Sequence, residues 1–249
     1  MKDKVVLITG ASTGIGYDTA LLLGKEGAKV AVHYNQTKDG ADQAAAVINN
    51  SEGTAKAFQA DIAVREQVDR LVAEVREELG EIDYLVVNAG SLIKRCPVVE
   101  APDELWDEVM AVNLSSVFYT CRAVLNPMIE RRDGAVVIVS SIAGRTGGGP
   151  GATMYATAKA GALCFTKGLA KEVAPYGIRV NGVAPGVILT PFHERFSTPE
   201  VLEKFRQAVP LGRLGQGIEI ANVIRFLLSD GAAYMTGETI EVNGGMLMD

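Results

Sequence analysis

This chain of 249 residues has few cysteines and histidines, no excess of positive charge and no long apolar run. The three cysteines, Cys96, Cys121 and Cys164, are odd in number and widely spaced, which argues against a disulfide framework and indicates a reducing compartment. The two histidines, His33 and His193, form no cluster with them, so the sequence predicts no zinc site. We therefore expect a cytoplasmic protein that holds no metal.

The lack of an apolar run and the acidic balance exclude two further classes of partner. No stretch approaches the ~18 apolar residues that cross a bilayer, and the N-terminal apolar stretch is too short for a signal peptide. A formal net charge of −6 disfavours nucleic acid. We expect neither a membrane nor a nucleic acid as partner, and a small molecule as substrate.

A regular alternation of short apolar runs with helical patterns is present instead. This order is typical of α/β proteins, in which a helix links each strand to the next parallel one. We predict a single Rossmann-type domain over residues 1–249, a doubly wound parallel sheet of about seven strands with helices on both faces. Strands are predicted at Val5–Ile8, Lys29–Tyr34, Thr54–Gln59, 82–87, 135–139, 178–183 and Thr239–Val242, and helices at 39–50, 64–79, 103–130, 155–176 and 218–228.

Residues 192–213 interrupt this alternation. They show no strand pattern and combine charged residues with Phe192, Phe196 and Phe205. Two interpretations stay open, a mobile lid over a substrate and a helical excursion on the surface.

Gly10, Gly14 and Gly16 directly follow the first predicted strand, and a helical pattern begins after them. Glycines permit a tight turn and close approach of the backbone, while a helix N-terminus offers unpaired N–H groups to a phosphate. A plain turn between strand and helix is the alternative. The spacing after a buried-type strand makes dinucleotide binding the stronger interpretation.

The end of the second strand bears on which dinucleotide binds. An acid at this place in NAD-binding α/β units binds the ribose 2′-hydroxyl. Here the strand ends in the uncharged run Tyr34-Asn35-Gln36-Thr37, followed by Lys38, and no acid appears before Asp39. An uncharged strand end admits a 2′-phosphate and Lys38 can pair with it, so the sequence favours NADP over NAD.

Tyr155 and Lys159 are four residues apart on a predicted helix, which places both side chains on one face, one turn apart. A phenol with its ordinary pKa near ~10 is a poor base at neutral pH, and a nearby ammonium lowers that pKa. A tyrosine adjusted in this way transfers a proton at an alcohol or carbonyl oxygen, which Ser141 can also bind. The alternative is an exposed Tyr and Lys on an amphipathic helix.

Other polar positions fall near the ends of predicted strands or in apolar surroundings. Asp61 follows the third strand and either caps the next helix or binds an adenine amino group. The small run Asn88-Ala89-Gly90 leaves room for a ribose or a flat ring. Asn113 lies in an apolar helical stretch, where a core hydrogen bond to the backbone is its simplest explanation.

Together these residues resemble the short-chain dehydrogenase/reductase family from Thr9 to Gly245, and within it most closely the 3-oxoacyl-[acyl-carrier-protein] reductase-like group. The matching motifs are Thr9-Gly10-x-x-x-Gly14-Ile15-Gly16, Asn88-Ala89-Gly90, Asn113, Ser141, Tyr155-x-x-x-Lys159, Pro185-Gly186 with Thr190, and Val242-Asn243-Gly244-Gly245.

The resemblance implies an NAD(P)H-dependent oxidoreductase that interconverts a ketone or aldehyde and an alcohol by hydride transfer. Tyr155 would be the general acid in reduction, Ser141 would orient the carbonyl, Lys159 would lower the pKa of Tyr155 and bind the ribose, and Asn113 would hold a relay water. A homotetramer built through the helices of Asn113 and Tyr155 and the last strand is also implied. The cofactor site would comprise Gly10, Ser12, Thr13, Gly14, Ile15, Gly16, Tyr34, Asn35, Gln36, Thr37, Asp61, Ile62, Asn88, Ala89, Gly90, Tyr155, Lys159, Pro185, Gly186, Ile188 and Thr190.

Basic residues lie in three segments at the expected substrate mouth: Arg95, Arg145, and His193 with Arg195. In an acidic protein this placement favours an anionic substrate such as a small keto sugar acid, as a rival to an acyl thioester. The alternative is that each side chain is solvated or paired with a nearby acid.

A catalytically silent dinucleotide-binding sensor is the competing class of function. Such a protein would be expected to lack one of Ser141, Tyr155, Lys159 and Asn113, and all four are present. The sequence therefore favours an enzyme.

Overall fold

The strands and helices of this computed structural model follow one another in strict alternation from Val5 to Val87. The strands are β1 (Val5–Ile8), β2 (Lys29–Tyr34), β3 (Thr54–Gln59), β4 (Tyr84–Val87), β5 (Gly134–Val139), β6 (Ile178–Pro185), β7 (Ile188–Leu189), β8 (Gly215–Gln216) and β9 (Thr239–Val242). The helices are α1 (Gly14–Lys25), α2 (Lys38–Asn49), α3 (Arg65–Leu79), α4 (Asp103–Met110), α5 (Ser116–Arg131), α6 (Ala143–Thr146), α7 (Thr153–Val173), α8 (Pro191–Phe196), α9 (Pro199–Ala208) and α10 (Gly217–Leu228).

Residues 1–248, the part of the chain that the structure describes, form a central sheet of seven strands in the order β3-β2-β1-β4-β5-β6-β9. Every pairing in this sheet is parallel. The strand order reverses between β1 and β4, which in such sheets opens a crevice at the carboxyl ends. The predicted fold class, a doubly wound Rossmann-type sheet, is confirmed; that the whole chain forms one domain stays a prediction.

The two faces of the sheet are covered by different helices because alternate side chains of each strand point to opposite faces. Val5 and Leu7 belong to the core beneath α3, α5 and α7, whereas Val6 and Ile8 belong to the core beneath α1, α2 and α10. All four are almost completely buried, and each contributes about 2 kcal/mol of hydrophobic stabilisation. Because their residues are apolar in continuous runs, these strands are buried on both faces of the sheet.

Several element boundaries differ by one to three residues from the sequence-based expectation, and two elements differ in ways that the contacts explain. The strand predicted at 82–87 begins at Tyr84, because the preceding residue, Asp83, is bound to Val5. The Asp83 N–H donates to the Val5 carbonyl oxygen (2.9 Å), and the Asp83 carboxylate accepts from the Val5 N–H (2.8 Å). The helix predicted at 103–130 is divided by the π-helical turn Ala111–Ser115, which carries Asn113. Such turns are frequent at functional sites.

The segment 192–213 is largely helical, containing most of α8 and all of α9. It is anchored where β7 pairs with β8, joining the chain before this segment to the chain after it. Its role as a lid stays a prediction. Among the helices of residues 1–248, none is long and apolar enough to cross a membrane.

Candidate active site

The turns that follow β1, β4, β5 and β6 meet at the carboxyl edge of the sheet and are joined by hydrogen bonds. The hydroxyl of Thr9 accepts from the N–H groups of Asn88 (3.0 Å) and Ala89 (3.1 Å). In return, the Asn88 amide donates to the carbonyl oxygens of Thr9 (3.0 Å) and Gly10 (2.9 Å). Asn88 therefore fixes the glycine turn, a structural task that the sequence did not reveal.

The glycine turn leaves no room for side chains. Gly10 and Gly14 have φ angles of +64° and +56°, in the left-handed region that favours glycine. A Cβ on Gly16 would overlap the carbonyl oxygen of Gly10 and lie 2.5 Å from Asn88 Nδ2. Thr190 closes the other side, because its Cβ lies 3.2 Å from where a Gly14 Cβ would be.

The N-terminus of α1 adds a second feature suited to a phosphate. Within residues 1–248, no side chain caps this 12-residue helix, and its first turn has no acidic residue. Its first N–H groups and the positive end of its dipole therefore face the turn that contains Ser12, Thr13 and Gly14. A bare N-terminus beside a turn of left-handed glycines fits a dinucleotide diphosphate.

The end of β2 is open to solvent at the positions predicted to select the cofactor. Tyr34 is half-buried, while Asn35, Gln36 and Thr37 are exposed. Lys38, the next residue, forms an ion pair with Asp42 in which both side chains are half or more exposed. Exposed pairs of this kind contribute little, so Lys38 can exchange this partner for another anion.

Asp61 and Ile62 lie beyond the end of β3. One carboxylate oxygen of Asp61 accepts a hydrogen bond from the N–H of Ala63 at 3.0 Å, and the Asp61 N–H donates to Gln67 Oε1 at 2.8 Å. Asp61 thus organises the turn before α3 without capping that helix, whose N-cap residue is Val64 and which receives no side-chain cap hydrogen bond from residues 1–248. Its contact with an adenine stays a prediction. Ile62 is buried.

Tyr155 and Ser141 are brought together by α7 and the turn after β5. Ser141 lies close enough to Tyr155 to influence its pKa, and the Ser141 hydroxyl accepts a hydrogen bond from the N–H of Ala143 at 3.1 Å. Burial raises the pKa of Tyr155 to about 12, although the Ser141 hydrogen bond lowers it. The protein groups alone therefore give the opposite of the expected lowered pKa, because the phenolate loses more hydration than the hydrogen bond restores.

Lys159 is buried one turn further along α7, with 3% of its surface exposed. Its ammonium nitrogen donates to the carbonyl oxygen of Val139 at 2.9 Å and lies 5.8 Å from the centre of the Tyr155 ring. Burial lowers the pKa of Lys159 to about 8. The lysine thus lies beside the tyrosine, as the spacing predicted.

Asn113 is held entirely by backbone groups of its own surroundings. Its amide donates to the carbonyl oxygens of Ser91 (2.7 Å) and Val109 (2.9 Å), and its oxygen accepts from the Ser91 N–H at 3.0 Å. A Cβ on Gly90 would lie 2.8 Å from that oxygen and 3.0 Å from Lys159 Nζ. Gly90 therefore lets Asn113 and Lys159 approach the same point of the chain.

The turn after β6 completes the edge of the site. Gly186 donates to the carbonyl oxygen of Val242 at 3.0 Å, and a Cβ there would lie 2.7 Å from Asn243 Cα. Pro185 ends β6, and Ile188 is buried in β7. The Thr190 hydroxyl donates to the carbonyl oxygen of Ile188 at 3.3 Å.

The segment 192–213 lies against Tyr155. The ring centres of Tyr155 and Phe192 are 5.9 Å apart, and Phe192 in turn packs against Phe196 at 5.0 Å and His193 at 5.3 Å. This aromatic cluster forms one side of the space above Tyr155. The sequence-based predictions did not include this apolar wall. The signal that could have revealed it is the presence of three phenylalanines in the segment.

The four basic residues proposed to bind substrate all have protein partners. Arg95 donates to the carbonyl oxygens of Phe196 (3.2 Å) and Pro150 (3.1 Å), and thereby joins α8 to the loop between α6 and α7. Arg145 pairs with Glu241 at 3.0 Å. The His193 ring contacts the Ser197 hydroxyl at 3.0 Å, and the guanidinium of Arg195 lies 5.2 Å from the ring centre of Phe196.

Comparison with known proteins gives consistent relatives over nearly the whole chain. A family model described as enoyl-(acyl carrier protein) reductase matches residues 10–247. A 3-oxoacyl-[acyl-carrier-protein] reductase of Synechocystis sp. is 42% identical over 246 residues, which cover 98% of this chain and 97% of that protein.

Two solved structures are similar in fold and sequence. A levodione reductase has a TM-score of 0.94 and 35% identity over 98% of both chains. A structure named as a ribose-5-phosphate isomerase from Brucella melitensis has a TM-score of 0.92 and 34% identity, covering 100% of this chain and 94% of the other.

Proposed function

The chain belongs to the short-chain dehydrogenase/reductase family, in its 3-oxoacyl-[acyl-carrier-protein] reductase-like group, and we propose that it reduces the 3-oxo group of an acyl thioester with NADPH. The observation that carries this proposal is the placement of Tyr155 close to Ser141 and beside buried Lys159, whose ammonium nitrogen lies 5.8 Å from the centre of the Tyr155 ring. The same sheet edge carries a glycine turn suited to a dinucleotide. A proton-transfer group and a dinucleotide site at the same sheet edge are the features of an oxidoreductase acting on CH–OH groups.

The residues of the glycine turn would bind the diphosphate through the N-terminus of α1. Asn88 and Thr9 hold this turn in place through the hydrogen bonds described above. Ile188 and Thr190 would bind the carboxamide end, and Lys159 would bind the adjacent ribose. The bound nicotinamide supplies the hydride, and the protein supplies position and electrostatics.

Tyr155 would donate the proton to the carbonyl oxygen. A pKa raised to about 12 by burial keeps its hydroxyl protonated at neutral pH, which suits the acid needed for reduction. Ser141 would hydrogen-bond the same oxygen and orient it. Lys159, charged below a pH of about 8, would stabilise the phenolate left after transfer.

NADPH is proposed over NADH because of the end of β2. Its exposed residues carry no acid before Asp39, and Lys38 is held only by an exposed pair with Asp42. A 2′-phosphate can therefore approach without repulsion and pair with the Lys38 ammonium.

Two finer predictions accompany this function. The first is a homotetramer, and the second is a cytoplasmic location, which the free cysteines support. The alternative, a small anionic keto acid as substrate, requires Arg145 to exchange Glu241 for the ligand, and requires Arg95 to release the carbonyl oxygens it now binds. Because both arginines are engaged, a neutral acyl thioester is the favoured substrate.

The test is the loss of absorbance at the reduced nicotinamide band, with NADPH and NADH offered in parallel. An acetoacetyl thioester and a panel of keto sugar acids serve as substrates. We expect turnover of the thioester, with NADPH preferred. Turnover of the keto acids alone would contradict the proposed substrate and make Arg145→Ala and Arg195→Ala the next variants, whereas no oxidation of either cofactor would contradict the reductase itself.

A further inference from the structure

His33 is a buried histidine that the catalytic groups do not use. It lies near the end of β2 with 1% of its surface exposed. Its ring bridges two backbone groups from different segments: Nδ1 lies 3.0 Å from the amide nitrogen of Gly10, and Nε2 lies 3.0 Å from the carbonyl oxygen of Ala60. The sequence analysis assigned no role to this residue and named it only in arguing against a zinc site.

These two partners determine the tautomer of the ring. The Gly10 N–H needs an acceptor, so Nδ1 carries no proton, and the Ala60 carbonyl needs a donor, so Nε2 carries one. Burial lowers the pKa of His33 despite the hydrogen bond to Ala60 and the nearby Asp61 carboxylate, which raise it. A charged ring would direct a second N–H against that of Gly10, so the neutral form is required.

The backbone around His33 strengthens this bridge. The Ala11 N–H donates to the His33 carbonyl oxygen at 2.8 Å, and the Ala60 N–H donates to the Tyr34 carbonyl oxygen at 3.1 Å. The glycine turn after β1 and the end of β3 are therefore both tied to the end of β2. These three segments are the ones that would surround the adenosine and diphosphate parts of a dinucleotide.

We propose that His33 is a positioning residue for dinucleotide binding, whose neutral ring holds Gly10 in its left-handed conformation and so keeps the glycine turn formed before the ligand binds. Gly10 has a φ of +64°, and its N–H is directed at the imidazole. Without this acceptor the peptide loses a hydrogen bond and gains other orientations, so binding would then have to order the turn. This inference rests on the proposed function, since it takes the glycine turn as the dinucleotide site.

Three substitutions separate the two hydrogen bonds. His33→Asn can place an amide oxygen where Nδ1 was and so keep the acceptor for Gly10. His33→Gln can reach Ala60 but offers Gly10 no acceptor in that position, and His33→Phe keeps a ring without either bond. We expect the dissociation constant for NADPH to rise about tenfold or more in the Phe and Gln variants and to return to within about threefold of the original in the Asn variant.

Asn181→Leu is the matched control. Asn181 is equally buried and also bridges two backbone groups, those of Met235 (2.8 Å) and Glu238 (3.2 Å), but it lies away from the glycine turn. The Asn181→Leu substitution should lower the urea midpoint of unfolding, as the His33 substitutions do, without changing the affinity for NADPH. The proposal would be overturned if the loss of affinity for NADPH were proportional to the loss of stability in all variants. It would also be overturned if the Asn and Gln variants bound NADPH equally well.

The tautomer can be measured in the unaltered protein, whatever the variants do. With only two histidines in the chain, the ¹⁵N resonances of the rings can be assigned by comparison with His193→Ala. We expect a neutral ring protonated at Nε2 at pH 7, and a charged ring or one protonated at Nδ1 would overturn the proposal. If the wild-type protein does not bind NADPH at all, the proposed function fails, which is a different outcome from binding that is insensitive to His33.

Discussion

Burial acts on both Tyr155 and Lys159 and moves each side chain towards its neutral form. It raises the pKa of Tyr155 to about 12 and lowers the pKa of Lys159 to about 8. The i, i+4 spacing predicted that the two side chains share a face of the helix. It could not predict the direction of the tyrosine shift, because the depth of burial depends on the aromatic cluster and on β5, which lie far away in the sequence.

The buried lysine gives a testable dependence of stability on pH. The folded protein loses the Lys159 proton near pH 8, whereas the unfolded chain keeps it up to the ordinary value of 10.5. In this window the unfolded state binds more protons, so the contribution of Lys159 to stability rises with pH and is lost again as pH falls through about 8. We expect the free energy of unfolding of the wild type, minus that of Lys159→Met, to increase by an amount on the order of 3 kcal/mol between these two values.

Urea unfolding at a series of pH values measures this difference. All other lysines are common to both proteins and cancel in the comparison. A difference that is flat or decreases over the same interval would show that the Lys159 ammonium is not destabilised by burial.

At the scale of the elements, the glycine turn depends on close contacts between α1 and the turn after β4. Gly16→Ala places a methyl group against the Gly10 carbonyl oxygen and the Asn88 amide. Backbone at this distance cannot move aside cheaply, so we expect a loss of about 2 kcal/mol in the free energy of unfolding and weaker binding of NADPH. Thermal unfolding and fluorescence titration with NADPH measure the two effects.

Gly149→Ala is the control for this prediction. Among residues 1–248, the atom nearest to its new Cβ would be Arg95 Nη1 at 3.8 Å, an ordinary contact, and the φ of Gly149 lies outside the left-handed region. Stability should change by no more than about 0.5 kcal/mol. Equal effects of the two substitutions would mean that general backbone stiffening, not the contact at Gly16, sets the result.

The order of strands and helices could be predicted because each buried strand is a continuous apolar run and each helix has a polar face. The π-helical turn at Asn113 could not, since it depends on the Ser91 backbone, which binds the Asn113 side chain from another segment. The same holds for β7 and β8, two-residue strands that exist only because residues 188 and 215 meet in space. Hydrogen bonds between distant segments leave no periodic pattern in the sequence.

At the scale of the whole molecule, an apolar groove runs along the outer surfaces of α5 and α7. Phe118 lies in it with 45% of its surface exposed, next to Leu114, Gly161, Cys164 and Phe165. The tetramer implied by the family resemblance would cover this groove with a second copy of the chain. An exposed apolar surface of this kind indicates an interface.

We expect Phe118→Glu to break the tetramer into smaller species, because a carboxylate would be buried without a partner in the interface. Val99→Glu is the control, since Val99 is 94% exposed and lies outside the groove. Sedimentation velocity at several protein concentrations gives the mass of each variant. A tetramer that survives Phe118→Glu, or a wild-type monomer, would contradict the predicted interface.

The central claim, that Tyr155 donates the proton in a nicotinamide-dependent reduction, is tested most directly by Tyr155→Phe. The substitution keeps the ring against Phe192 and removes the hydroxyl near Ser141. We expect kcat for reduction of the thioester to fall by about 10²-fold to 10⁴-fold, the contribution of a general acid, while the dissociation constant for NADPH, measured by fluorescence, stays within about threefold. A variant that binds NADPH and retains most of its kcat would contradict the account.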